Sequence, residues 1–237
     1  MNMKVLFDKD TQESDYRTGW GISFLINETV LFDASENGEW LLHNMQAMNV
    51  DIDAIDSVVI SHDHWDHTGG LGSFLEKKPS CTVYGCSGFS DRFRQNVRKY
   101  GTNLIEPAGS THIAENIFVS GEIIGTYKNA PISEQALVIQ GNDGISVVTG
   151  CAHPGITTMI RTIADSFQQK EIALAAGGFH CMQKETHEIT GIINELHDLG
   201  VCKVGPTHCS GNEAQRLFKD AWGDNYVSFR VGESITI

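Results

Sequence analysis

Residues 62–67, HDHWDH, constrain this chain more than any other segment, because three imidazoles and two carboxylates lie within six positions. A short apolar run, residues 57–60, comes directly before them and predicts a buried strand that leads into the cluster. Imidazole nitrogen and carboxylate oxygen suit Zn²⁺ and other divalent transition metals. A structural role explains one isolated histidine, but it does not explain a whole cluster at a strand end. The sequence therefore predicts a metal site with four ligands: His62, His64, Asp66 and His67.

The spacing of these ligands favours two metal ions rather than one. An irregular loop after the strand would let the ligands point to different sides, with His62 and His64 on one ion and Asp66 and His67 on the other. Two ions about 3.5–4 Å apart can share a bridging hydroxide that is nucleophilic near neutral pH. We expect Zn²⁺, with Mn²⁺ or Fe as alternatives.

Composition and charge limit the partners of such a site. Hydrophobic residues make up 41% and charged residues 20% of the 237 residues, which is typical of a globular protein. No internal repeat or linker is visible, so we expect a single domain over residues 1–237. The formal net charge of −13 argues against nucleic acid and anionic membranes as partners. It is compatible with a small anionic substrate, because bound cations can reverse the local field. The sequence does not indicate the oligomeric state.

The N-terminal residues and the cysteines point to the cytoplasm. The first ten residues contain no apolar segment typical of a signal peptide, and no run approaches about 20 apolar residues. The six cysteines form no CxxC pair. We therefore expect reduced thiols and a cytoplasmic location.

The hydrophobic pattern predicts strands first, followed by strands that alternate with helices. The expected strands are residues 3–7, 21–27, 29–33, 57–60, 83–84, 136–139, 145–148, 172–176, 202–204, 227–230 and 233–237. The expected helices are residues 39–48, 89–100, 156–168, 185–198 and 211–221. Several of these strands end in loops that contain histidine: residues 61–67, 150–153, 177–180 and 207–209. In layered α/β folds such loops meet at one edge, so we expect their side chains to form the site.

The segment HDHWDHTGG resembles the HxHxDH motif of the metallo-β-lactamase superfamily. Residues 31–33 (LFD), 150–155 (GCAHPG), 177–180 (GGFH) and 206–211 (PTHCSG) resemble one subfamily in particular. That subfamily is named for 7,8-dihydropterin-6-methyl-4-(β-D-ribofuranosyl)-aminobenzene-5′-phosphate synthase. The resemblance implies an α/β fold, a four-layer αββα sandwich, with a dinuclear metal site.

The resemblance also implies further ligands. His208 matches the C-terminal ligand, and His153 is the candidate for the third ligand of the first metal. Cys151 stands where relatives carry a bridging aspartate, and Glu134 is another candidate ligand, so both alternatives stay open. His180 could be a ligand, a proton donor or a contact to substrate phosphate, and we expect it to be catalytic together with Asp66. Asp33 is expected to orient a ligand imidazole.

These features indicate a metal-dependent enzyme. The main expectation is a hydrolase that uses a metal-bound hydroxide on a phosphate-containing or related small molecule. The alternative implied by the resemblance is a transferase that joins a dihydropterin pyrophosphate to an aminobenzene ribotide. A di-iron redox or oxygen-binding module is a third class, which the absence of an appended flavodoxin-like segment disfavours.

Side chains around the site could contact such a substrate. Trp20, Trp65 and Phe179 are candidates for an apolar or stacking wall, although Trp65 is first expected to pack against the sheet edge. A basic cluster in residues 92–99 predicts either a solvated helix face or a phosphate clamp.

Overall fold

A computed structural model describes all 237 residues. Its strands are β1 Asn2–Phe7, β2 Ser23–Ile26, β3 Val30–Phe32, β4 Ser57–Val59, β5 Thr82–Tyr84, β6 Asn103–Ile105, β7 Thr111–Ala114, β8 Ile117–Val119, β9 Ile123–Tyr127, β10 Ala130–Glu134, β11 Leu137–Gly141, β12 Gly144–Thr149, β13 Ile172–Gly178, β14 Val201–Thr207 and β15 Ser234–Thr236. Its α-helices are α1 Gly38–Ala47, α2 Trp65–Thr68, α3 Leu71–Lys77, α4 Asp91–Lys99, α5 Ile156–Phe167, α6 Thr186–Asp198 and α7 Asn212–Trp222. None of these helices is long and apolar enough to cross a membrane.

The chain forms two compact units. Unit 1 consists of residues 1–108 and 229–236, and unit 2 consists of residues 109–228 with residue 237. Each unit has its own main sheet and its own cluster of buried apolar side chains. The single domain expected over residues 1–237 stays a prediction.

Unit 1 is built on a seven-stranded mixed sheet in the order β15-β1-β2-β3-β4-β5-β6. Strands β3 to β6 run parallel, and the strands on the other side of β3 pair antiparallel. Apolar residues of α1, α3 and α4, such as Leu41, Phe74 and Val97, are fully buried in the core with strand residues such as Val58. Residues 62–67 follow β4, which lies inside the parallel part of the sheet. Their position at the carboxyl end of this strand is the one expected for an α/β site.

Unit 2 is built on a six-stranded sheet in the order β14-β13-β12-β11-β8-β7, with a separate β9–β10 hairpin. Strands β12, β13 and β14 are parallel, and β11, β8 and β7 pair antiparallel. Helices α5, α6 and α7 bury residues such as Ile160, Ile193 and Phe218 in its core. Three parallel strands therefore end side by side, and each leads into a loop that contains a predicted site residue.

Most of the expected helices and strands are present within a few residues of the predicted bounds, but two expectations were wrong. The motif is not entirely a loop, because Asp66 and His67 lie on the short helix α2. Residues 227–230 form no strand, since the only pairings nearby are isolated bridges at Tyr226 and Val231. Strands β6 to β10, within residues 103–134, were not predicted. These strands are short and half-exposed, and such strands leave little periodicity in a sequence.

Candidate metal centre

The unit 1 cluster begins where two parallel strands end together. Strands β3 and β4 are paired in register from Val30 and Ser57 to Phe32 and Val59. The next residues are therefore neighbours, and the Ser61 backbone N–H donates to Asp33 Oδ1 over 2.7 Å. Asp33 has a φ of +56°, a left-handed conformation that is uncommon for a residue with a side chain. The strand pairing and this turn place a fully buried carboxylate directly beneath the motif.

Asp33 orients the last histidine of the motif. His67 Nδ1 lies 2.6 Å from Asp33 Oδ2, and both side chains are fully buried. A carboxylate only accepts hydrogen bonds, so Nδ1 carries the proton and Nε2 is the ring nitrogen that can ligate a metal. Burial disfavours the charged imidazole, but the carboxylates of Asp33 and Asp66 outweigh it and raise the pKa of His67 to about 10. The surroundings of His67 therefore favour a positive charge, which a bound cation would also satisfy.

Asp33 also orients the first histidine, through a hydroxyl group. Ser61 Oγ donates to Asp33 Oδ2 over 2.7 Å, and it lies 2.9 Å from His62 Nδ1. Because the Ser61 hydroxyl donates its only proton to Asp33, its oxygen accepts a hydrogen bond from His62 Nδ1. His62 Nε2 is then the ring nitrogen with a lone pair, and it lies 3.1 Å from His64 Nδ1. The role of Ser61 was not expected, and its position immediately before the motif was the only signal for it.

Helix α2 brings the remaining carboxylate to the same histidines. Asp66 Oδ2 lies 3.5 Å from His67 Nε2, and Asp66 is 6% exposed. The structure thus brings together all four ligands that were predicted in residues 62–67. Asp63, the other carboxylate of the motif, instead accepts from the Ser90 N–H through Oδ2 at 2.9 Å.

The unit 2 cluster forms at the carboxyl ends of β12, β13 and β14. The register pairs Thr149 with Gly177 and Gly178 with Thr207. The loops after these strands carry Cys151, His153, His180, His208 and Cys209. The ligand atoms of Cys151, His153 and His180 lie within 4.8 Å of one another, and so do those of Cys151, His208 and Cys209. The predicted convergence of these loops is therefore observed within unit 2.

Glu134, at the end of β10, fixes the first of these loops. Its Oε1 accepts from the N–H groups of Cys151 and Ala152 at 2.9 and 2.8 Å. Its Oε2 accepts from the N–H of His153 at 2.8 Å and from His153 Nδ1 at 2.9 Å. These four bonds occupy the roughly four acceptor positions of a carboxylate. Glu134 therefore orients His153 through Nδ1, as Asp33 orients His67. With its acceptor positions occupied, Glu134 is poorly placed to bind a metal directly.

The hydrogen bonds to Glu134 also control its charge. Burial favours the protonated acid, but the bonds from His153 and from the backbone N–H groups outweigh it and lower the pKa of Glu134. The buried group is thus an acceptor in its ionised form. Glu134 was expected only as a possible ligand, because the identity of a carboxylate does not reveal what it contacts.

His180 is the exposed imidazole of the unit 2 cluster. It has a φ of +51°, and its ring centroid lies 4.7 Å from that of His153. A hydrogen bond to Cys209 is the main cause that raises the pKa of His180. Tyr127 packs against both imidazoles, with its ring centroid 5.2 Å from that of His153 and 6.1 Å from that of His180. His180 is thus positioned by its neighbours and still exposed to solvent, as a catalytic imidazole would be.

The donor atoms in both units have the chemistry and spacing that a divalent metal needs. Two nitrogens bound to one Zn²⁺ at about 2.0–2.1 Å in a tetrahedral arrangement are roughly 3.4 Å apart. The 3.1 Å separation of His62 Nε2 and His64 Nδ1 fits this value. Carboxylates hold the Nδ1 side of His67 and His153, as is common for metal-binding histidines.

The other candidate residues lie elsewhere or have structural roles. His43, His112, His187 and His197 belong to neither cluster of ligand atoms. The expectation that Trp65 packs against the sheet edge was wrong, because it is 63% exposed. Phe179 is buried in the core of unit 2 and cannot form a wall of a substrate site. Arg94, in the basic cluster, pairs with Glu106 at 2.8 Å, which favours a structural role for it.

Comparison with known proteins agrees with this geometry. Residues 28–121 match the family described as "Beta-lactamase superfamily domain". The chain is 26% identical to 7,8-dihydropterin-6-methyl-4-(beta-D-ribofuranosyl)-aminobenzene-5′-phosphate synthase of Methanocaldococcus jannaschii, over 91% of this chain and 89% of that protein. An uncharacterised protein of the same organism is also 26% identical, over 99% of this chain and all of its own length. A crystal structure of a metal-dependent hydrolase of the beta-lactamase superfamily aligns with a TM-score of 0.84 and 26% identity, covering 100% of this chain and 99% of the other.

The chain is therefore an enzyme with the metallo-β-lactamase fold, and the expected fold class is confirmed. Within that class it is similar to the synthase subfamily that its GCAHPG and PTHCSG segments indicated.

Proposed function

We propose that this enzyme is a metal-dependent hydrolase that cleaves a phosphate-containing or related small molecule. The observation that carries the proposal is the pre-orientation of His62 and His67 by the buried carboxylate of Asp33. Burying a carboxylate and several imidazoles costs free energy. Metal binding is the function that explains why these polar groups are buried together.

The ligands we propose are those named from the sequence: His62, His64, Asp66, His67, His153 and His208. We propose two divalent ions, with zinc as the native metal. A bound divalent ion would supply Lewis acidity to an anionic oxygen and would lower the pKa of a water molecule enough for attack near neutral pH. Asp66 would act as a proton acceptor next to His67. His180 would carry a proton that it could donate toward the substrate.

A second candidate is the synthase activity, which the similarity to the Methanocaldococcus jannaschii synthase favours. In this reaction a dihydropterin pyrophosphate would be joined to an aminobenzene ribotide, and the charge of the departing pyrophosphate would be neutralised by the bound cations. Both activities need the same ligands and an anionic substrate, so the metal site alone does not distinguish them.

We further propose that the substrate is a small anion rather than nucleic acid or a membrane, because the net charge is −13. We propose a cytoplasmic location, since none of the six cysteines forms a disulfide.

The first experiment is to count metals per chain by inductively coupled plasma mass spectrometry and then to assay the loaded enzyme. About two equivalents of zinc or manganese, together with metal-dependent cleavage of bis(p-nitrophenyl) phosphate or p-nitrophenyl phosphate, would support the hydrolase. Pyrophosphate release only when dihydropterin pyrophosphate and the ribotide are both present would support the synthase. About two equivalents of iron would favour a redox role, and no metal after reconstitution would overturn the whole proposal.

His62→Ala is the variant that tests the site, with His43→Ala as its control. His43 belongs to the same unit, but its Nε2 contacts the Asp15 carbonyl oxygen at 2.8 Å. We expect His62→Ala to fold normally while losing metal and turnover, and His43→Ala to keep both. Full activity in a folded His62→Ala variant would contradict the proposed site.

A further inference from the structure

Two buried thiols of unit 2 lie outside its apolar core. Cys181 belongs to the core cluster and is surrounded by apolar side chains, as buried cysteines usually are. Cys151 and Cys209 are as buried, at 4% and 5% exposure, but they are not members of that cluster. Both thiols lie close to imidazoles instead.

Cys151 is the donor that the two ligand groups of unit 2 have in common. Its Sγ lies within 4.8 Å of ligand atoms of His153 and His180, and within 4.8 Å of those of His208 and Cys209. A thiolate about 2.3 Å from an ion and an imidazole nitrogen about 2.1 Å from it are at most about 4.4 Å apart. Small side-chain adjustments would therefore place Cys151 and a neighbouring imidazole on the same ion.

The backbone around Cys151 is held firmly enough for a ligand. Glu134 accepts its N–H at 2.9 Å and the N–H groups of the next two residues at 2.8 Å each. Gly178 allows close packing here, because an added Cβ would lie 2.2 Å from the Gly150 carbonyl oxygen and 2.7 Å from Cys209 Sγ. The loop that carries Cys151 is thus packed tightly against strand β13.

Cys209 differs from Cys151 because it belongs to only one of the two ligand groups of unit 2. Its sulfur donates to the Cys151 carbonyl oxygen at 3.7 Å and forms a hydrogen bond with His180. Cys209 therefore connects its own loop with the loops that carry Cys151 and His180. Cys151 is the donor common to the imidazoles of both ligand groups.

We propose that Cys151 binds the metal of this enzyme through its thiolate. The inference rests on the metal dependence proposed above and adds sulfur to the nitrogen and oxygen donors. On binding, the thiol proton passes to solvent, and the sulfur–metal bond replaces the sulfur–hydrogen bond without any change of oxidation state. Sulfur selects Zn²⁺, Co²⁺ or Fe²⁺ over Mn²⁺, which prefers oxygen, so Cys151 would decide which metal the site retains.

The test is replacement of the metal by Co²⁺ in the full chain, followed by absorption spectroscopy. Sulfur-to-cobalt charge transfer absorbs in the near ultraviolet, whereas visible d–d bands report cobalt bound by any ligands. We expect both sets of bands in the wild type and loss of the near-ultraviolet band in Cys151→Ser. The matched controls are Cys181→Ser, a buried thiol in the apolar core, and Cys202→Ser, an exposed thiol, and both should keep the band.

Other outcomes separate this inference from the proposed function. Visible bands without a near-ultraviolet band in the wild type would overturn the role of Cys151 and leave metal binding intact. Loss of the band in Cys209→Ser, with retention in Cys151→Ser, would assign the sulfur to Cys209 and overturn the inference. No cobalt or zinc bound at all would overturn both proposals.

Two further measurements keep the inference testable if Cys151→Ser does not fold. X-ray absorption of the zinc-loaded wild type should show a sulfur neighbour at about 2.3 Å, and a shell of nitrogen and oxygen alone would overturn the assignment. In a competition between the two metals, Cys151→Asp should shift uptake at least about tenfold toward Mn²⁺, because a carboxylate suits that ion better than a thiolate. An unchanged ratio in the folded variant would contradict the inference.

Discussion

At the scale of single residues, each unit uses a buried carboxylate to hold a histidine by its Nδ1 atom. Asp33 contacts His67 at 2.6 Å, and Glu134 contacts His153 at 2.9 Å. Both carboxylates also accept backbone N–H groups from the loop that carries the histidine. The loop and the imidazole are therefore positioned by the same group, which leaves Nε2 as the ligand atom.

Asp33→Asn tests how the buried carboxylate orients His67 in unit 1. The amide has nearly the same shape, but it removes the negative charge that holds the His67 imidazole. We expect metal affinity to fall about 10- to 100-fold, as is usual when the partner of a metal-binding histidine is lost. Titration with a fluorescent zinc indicator would measure the change. Asp63→Asn is the control, since Asp63 belongs to the motif but contacts the Ser90 N–H. Equal affinities in the two variants would contradict the role of Asp33.

Glu134→Gln tests the corresponding group in unit 2. The glutamine amide would direct N–H groups toward backbone N–H donors, so at least one buried donor would lose its acceptor. Such a loss costs about 1–3 kcal/mol. We expect lower stability in urea and faster hydrogen exchange at the amides of residues 151–153. Exposed Glu171→Gln should change neither quantity, and normal exchange in Glu134→Gln would show that the loop does not depend on this carboxylate.

Residue types could be predicted from the sequence better than their contacts. The motif itself identified His62, His64, Asp66 and His67 as ligand candidates, and Asp33 was expected to orient an imidazole. The hydroxyl of Ser61 and the orienting role of Glu134 were not foreseen. Both roles depend on which atoms face each other across paired strands, and that information is not contained in the order of residues.

At the scale of elements, parallel pairing explains why distant segments supply one cluster. Strands β12, β13 and β14 are in register, so loops that begin after Thr149, Gly178 and Thr207 must emerge together. The histidine-containing strand ends predicted this convergence. Helix α2 could not be predicted, because four residues are too few to show a helical period.

Helix α4 offers a test of local stability away from the site. Ser90 is its N-cap, and the serine hydroxyl accepts from the Phe93 N–H at 3.1 Å. Ser90→Ala should destabilise the protein by about 1 kcal/mol, because an N-terminal helix donor loses its acceptor. Ser90→Asn should restore most of the stability, since asparagine is also a good N-cap. Urea unfolding followed by circular dichroism would measure both, and equal midpoints for the two variants would argue against the cap.

At the scale of the whole molecule, each unit has a core of its own and a cluster of polar ligands at strand ends. The composition is typical of a globular protein, and the structure contains two separate apolar cores, one with Leu41 and the other with Ile160. A count of apolar residues could not show this division, because it carries no information about which strands pair. In both units the polar groups of the clusters are costly to bury, so ligand binding should contribute to the stability of the native state.

Removal of metal should therefore lower the thermal stability of the chain. A ligand present at 100 times its dissociation constant stabilises the native state by about 2.7 kcal/mol. For a chain of this size that corresponds to a decrease of roughly 5–11 °C in Tm when a chelator removes the metal. Differential scanning calorimetry before and after chelation, and again after zinc is restored, would measure the shift. His62→Ala should show a smaller dependence on the chelator, while His43→Ala should behave like the wild type. A Tm that does not change on chelation of a zinc-loaded protein would mean that the buried imidazoles and carboxylates are stable without a cation, and the metal-based account of their burial would be wrong.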